Sequence, residues 1–180
     1  MIELTNSSVF NSENSPLYIL LNNRYSSPAI VAPPEEDAAA SGRFFMVTSA
    51  STAVGGGSNL LIQITNPNAS GRTLYISKVS GGISAAATLN LYSAGTVSGG
   101  TTPTPFNMQL GNATTSIATA RVATGSVTGS PTLFYTALLA AGMFEVVFTG
   151  GLIVPPNRSV AISVGTGAIT AAANISWWEV

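Results

Sequence analysis

The sequence predicts an all-β protein: a jelly roll or β-sandwich of about eight to ten antiparallel strands with an extended N-terminal arm. Three observations lead there. Short runs alternate branched apolar residues with small or polar ones at a period of two. Clusters of Gly, Pro, Asn and Ser punctuate those runs with turn chemistry. No stretch holds a helical period long enough for a helix of structural weight.

Residues 1–37 read as an arm or connector and residues 38–180 as the jelly-roll body. The arm contains one strand-like run, Leu17, Tyr18, Ile19, Leu20 and Leu21, closed by Asn22-Asn23. It is apolar on both faces and has no sheet of its own to pair with. Pro33 and Pro34 follow, and two prolines in succession predict an extended, semi-rigid linker. Charge divides at the same place. Glu3, Glu13, Glu35, Glu36 and Asp37 face Arg24 alone before residue 38, whereas Arg43, Arg72, Lys78, Arg121 and Arg158 outnumber Glu145 and Glu179 after it.

The body offers its strands in order. Phe44–Thr48 comes first, then Leu60, Ile62 and Ile64 on one face of a run ending at the turn Asn66-Pro67-Asn68. Leu74 and Ile76 alternate with Thr73, Tyr75 and Ser77, and Gly81-Gly82 predicts the next turn. Leu89 and Leu91 define another strand, closed by Ser98-Gly99-Gly100. Phe106–Leu110, Ile117–Ala123 and Leu133–Leu139 are further candidates. Phe144, Val146 and Phe148 share a face before a predicted turn at Gly150-Gly151. Val160, Ile162 and Val164 follow Pro155-Pro156-Asn157, and Asn174–Val180 closes the body.

Composition narrows the function. Six Lys and Arg, seven Asp and Glu, and a net charge of −1 leave little to hold copies apart, so the chain is expected to associate with itself. The same six cations are too few and too scattered to neutralise a nucleic-acid backbone, so no nucleic-acid partner is expected. The absence of cysteine removes disulfides and thiolate metal sites. Met1–Asn6 has neither a basic nor an apolar segment of the signal-peptide kind, so Sec-type export is not expected. Leu133–Val154 approaches the length of a spanning helix, but three glycines and a central Glu145 interrupt it. Two strands joined at Ala141-Gly142 account for it better, and no membrane span is expected.

Chemistry is sparse. Without His or Cys the commonest general bases, thiol nucleophiles and zinc ligands are missing, and no enzyme activity, cofactor or metal site is expected. Glu145 and Glu179 are the body's only acids, but a glycosidase pair needs a supporting polar shell that nothing supplies. Glu35-Glu36-Asp37 reads as a solvated acidic run, since adjacent side chains on an extended segment do not converge on a cation. Gly55-Gly56-Gly57-Ser58 lacks the lysine of a phosphate loop. Five Asn-X-Ser/Thr sequons, at Asn6, Asn68, Asn112, Asn157 and Asn174, match what an Asn-, Ser- and Thr-rich chain contains by chance. Of the adjacent Trp177 and Trp178, one is expected in the core and the other outside, where it, or Tyr92, would anchor an interface or stack on a sugar.

Ile64–Ile76 with its Asn-Pro-Asn-Ala-Ser-Gly turn, Gly99–Pro105, Phe148–Ser159 and the closing Ile175-Ser176-Trp177-Trp178-Glu179 resemble small surface proteins of spore-forming bacilli. The plan of connector plus jelly roll resembles the subunits of endospore appendage fibres. That resemblance implies a pilus-like homopolymer on the spore surface or outside the cell, in which an N-terminal connector enters a neighbouring subunit, with a spore-coat or exosporium protein as anchor. It departs from the better-known appendage subunits in lacking connector cysteines, so the polymer it implies is held without covalent bonds. Similar bodies occur as phage virion or decoration proteins and as tumour-necrosis-factor-like trimeric tips, and a carbohydrate-binding sandwich is the remaining alternative.

Overall fold

The computed structural model describes residues 34–165 and 167–180. Leu17, Tyr18, Ile19, Leu20, Leu21 and Pro33 lie outside the described residues. One helix, α1 (Pro34–Ala40), precedes eleven strands: β1 (Phe44–Thr48), β2 (Thr52–Val54), β3 (Asn59–Asn66), β4 (Leu74–Ile83), β5 (Ala87–Ser93), β6 (Phe106–Asn107), β7 (Thr119–Gly125), β8 (Thr132–Leu139), β9 (Gly142–Val154), β10 (Arg158–Gly165) and β11 (Ile169–Glu179).

The pairings are nested. β1 pairs with β11, β3 with β10, β4 with β9 and β5 with β8, every pair antiparallel. The four pairs fall alternately into two sheets, ordered β6-β1-β11-β4-β9 and β7-β3-β10-β5-β8, with β2 added on β11. A long hairpin folded over itself in this way is a jelly roll, so the predicted all-β sandwich is the fold observed. The predicted faces meet between the sheets: Leu60, Ile62, Ile64, Leu89, Leu91, Val160, Ile162 and Val164 from one, and Leu74, Ile76, Ile175 and Trp177 from the other. Trp177 is fully buried and lies tilted at 32° to Phe45, centroids 6.3 Å apart.

The connection from β5 to β8 carries β6 and β7 to the far side of the sandwich, where they pair with β1 and β3. The strap preceding β6 then covers the outer edge of β7: Thr101 and Val122 exchange backbone hydrogen bonds of 2.8 and 2.9 Å, and the Arg121 guanidinium donates to the Gly99 carbonyl at 2.9 Å. The same connection buries Val97 in a second cluster with Leu61, Ala123 and Ala161. Gln63 fixes it there, donating to the Gly95 carbonyl and accepting from the Val97 amide.

Three expectations are corrected. The linker is not extended where it is described, because Pro34 opens α1. Proline suits the first position of a helix, where no amide partner is needed, and Glu35, Glu36 and Asp37 favour its positive end. Gly42, at φ 67°, closes it: the Arg43 amide donates to the Ala38 carbonyl and the Gly42 amide to that of Ala39, the paired bonds of a Schellman motif. Ala38 is buried, and α1 packs beside β1 and β11. The three acids assigned to the arm therefore belong to the folded body, which from residue 34 on holds five acids and five bases.

Second, Gly81-Gly82 is no turn; both lie inside β4, where a side chain at residue 81 would run into the Ala172 carbonyl and the Phe144 ring. Gly150-Gly151 likewise lies inside β9, at a bulge where Thr149 and Gly150 adopt φ 47° and 82° and the register with β4 shifts. Third, the last strand begins at Ile169 rather than Asn174, and the Phe106–Leu110 strand shrinks to two residues.

Candidate functional site: the open flank of the sandwich

The excursion through β6 and β7 leaves the two flanks of the sandwich unequal. On the other flank the edge strands are β8 in one sheet and β9 in the other, joined by the short Ala140-Ala141 link. Among the described residues no strand pairs with the outer edge of either. β8 has no fully buried residue, and in β9 only Gly150 and Val154 are buried. Alternation turns Tyr135, Ala137, Leu139, Phe144, Val146, Phe148 and Leu152 inward, yet all stay half-buried where they meet the core. Tyr135 and Phe148 bridge the two edges as an edge-to-face pair at 6.4 Å and 72°.

Among the described residues, six of the ten exposed large hydrophobics belong to these two strands: Leu133, Phe134, Leu138, Met143, Val147 and Ile153. Natural proteins commonly blunt a sheet edge with lysine, proline or a covering segment. Here the only charges on either strand or its immediate pairing partners are Lys78 and Glu145, which neutralise each other at 2.9 Å.

Two bulges set back to back shape one end of the flank. Phe134 is skipped in the register between β5 and β8, and Thr149–Gly151 lies across the sandwich in β9. Between them opens a hollow of about 180 Å³, walled by Phe134, Leu152, Ile153, Val154, Pro155 and Val160. Arg158 stands in its lining, exposed, and among the described residues it has no acid partner: the ion pairs there are Arg43–Asp37, Arg72–Glu179 and Lys78–Glu145.

A shallower hollow lies on the outer face of the β4–β9 pair, lined by Glu35, Phe44, Ser77, Lys78, Glu145 and Val147. Glu35 is the second residue of α1, so the described chain starts beside the outer face of β9.

The residues singled out for stacking sit elsewhere. Trp178 faces away from Trp177 as the alternation requires, but it is 7% exposed: Tyr75 stacks on it at 5.6 Å and 9°, and Gly150 lies against its six-membered ring. Tyr92 is half-buried against the second cluster. Neither indole offers an open face to a sugar. The two body acids do not form a pair of catalytic type. Glu145 is exposed and bound to Lys78, whereas Glu179, expected near solvent, is fully buried and accepts from Arg72, Ser116, the Ile117 amide and Trp177. No three metal-ligating residues cluster among the described residues, and no described helix is long and apolar enough to cross a membrane.

Reading the sequence missed the open flank because apolar alternation looks the same in an edge strand and a central one. A usable signal was present: Met143 and Val147 add apolar side chains, beside Glu145 and Thr149, to the face opposite Phe144, Val146 and Phe148. No family model matches the chain, and neither curated proteins nor solved structures give a match.

Proposed function

We propose that this protein is a non-enzymatic structural subunit that assembles with copies of itself into a fibre, of the extracellular or spore-surface kind, through its N-terminal arm and without disulfides. The observation that carries this reading is the open flank: two adjacent edge strands with no outer partner among the described residues, bearing six exposed large hydrophobic residues. An edge of that kind is a template for another strand, and main-chain hydrogen bonding with side-chain pockets is how one chain adds itself to another's sheet. The low charge and the absence of cysteine suit association without covalent links. A spore-coat or exosporium protein would serve as anchor.

Negative-stain microscopy and sedimentation of the full chain test this. Fibres from the full chain and monomers after removal of residues 1–33 are expected. A full chain that stays monomeric at high concentration, or fibres that survive the deletion, would refute it. Closed trimers or virion-like particles would move the protein to one of the other jelly-roll assemblies.

A further inference from the structure

The hollow at the open flank has a chemistry that specifies its occupant. Its walls are apolar, its cation Arg158 lacks an acid partner among the described residues, and the Glu145 carboxylate lies farther back along β9. The occupant needs an extended apolar run with an acid at the end that meets Arg158; a base at the far end would join the Lys78–Glu145 pair. Residues 13–24 have that pattern: Glu13, the run Leu17–Leu21, then Arg24. They hold the only charges between Glu3 and Glu35.

We propose that the open flank receives residues 13–24 of a second copy, laid antiparallel along β9 with Glu13 at Arg158 and Arg24 towards Glu145. This assignment rests on the self-assembly reading above and names its acceptor, direction and register. Direction follows from charge order. β9 runs from Gly142 towards the turn that carries Arg158, so a segment with Glu13 at Arg158 runs against it, as every strand pair in the sandwich does. Length agrees as well. The twelve residues span about 40 Å as a strand, and the thirteen of β9 about 43 Å. This register sets Leu17–Leu21 over Phe148, Leu152 and the hollow, where the core is least closed.

The start of the described chain is consistent with a short reach. Residues 25–33 extend at most about 30 Å, roughly one small-domain diameter, so donor and acceptor bodies are direct neighbours.

The absence of native cysteine makes the test clean. Two full-length proteins with different tags are mixed, one carrying Ile19→Cys or Leu20→Cys, the other Leu152→Cys or Ile153→Cys, and oxidised. A heterodimer on a non-reducing gel is expected, and none with Thr119→Cys on the covered flank as acceptor. In parallel, Arg158→Glu should raise the concentration needed for assembly about three-fold, and adding Glu13→Arg should restore it. Fibres without the β9 cross-link overturn the acceptor assignment and leave self-assembly standing. Neither fibres nor cross-link overturns both. In a third protein that carries both Ile19→Cys and Leu152→Cys, a disulfide that forms only within the chain places the segment on its own body and overturns docking on a neighbour.

Discussion

Glu179 is the one charged side chain fully buried among the described residues, and its surroundings explain why the last strand ends where it does. Its carboxylate gathers donors from Arg72, Ser116, Ile117 and Trp177, so it ties β11 to the segment before β7 and to the turn before β4. Arg72 is 40% exposed and can return to water, so the loss on neutralisation is smaller than for a wholly buried pair. Glu179→Gln is expected to lower unfolding stability by about 2 kcal/mol, the scale of hydrogen bonds to a charged group, read as a lower urea midpoint at unchanged slope. Gly150 makes a second residue-scale case. Its positive φ and its contact with Trp178 leave no room for a methyl group. Gly150→Ala should cost about 1–3 kcal/mol and red-shift the tryptophan emission as Trp178 is displaced.

At the scale of elements, β8 and β9 are built to a different standard from their neighbours. Lysine placed at Leu138 or Met143, which are 87% and 94% exposed, should leave stability within about 0.5 kcal/mol, as surface changes do. Under the assembly proposed above, the same changes should shift sedimentation towards monomer, because a charged edge resists pairing. Helix α1 marks the limit of what sequence patterning conveys. Its start and stop were both written, Pro34 with three acids and Gly42 after Ser41, yet seven residues fall below the length at which periodicity is diagnostic. The alternating strands were legible because each buries one face, which fixes the parity of every residue in it. Gly81 and Gly150 were not legible as strand residues. Their reason for being glycine is a neighbour distant in sequence, Phe144 and Trp178 respectively. The open flank was hidden for a related cause, since which strand is an edge depends on the order of the sheet and not on the strand itself.

At the scale of the molecule, nested pairing joins the first strand to the last. Bringing β1 to β11 closes a loop of more than a hundred residues. Refolding from urea is therefore expected on a timescale of about milliseconds to seconds, typical of sandwiches, and stopped-flow tryptophan fluorescence should report it as Trp177 enters the core. The unequal flanks have a further meaning, which polymer chemistry states most simply. Counted as one reactive group, the β8–β9 flank, which lacks an outer partner among the described residues, gives the unit a functionality of one. Pairing edge to edge, such a unit can only dimerise and stop. Under the arm docking proposed above it would become an A–B monomer, and growth would be linear, polar and without branches. Free arm peptide would then act as a chain stopper, occupying open ends and setting fibre length by its ratio to subunit.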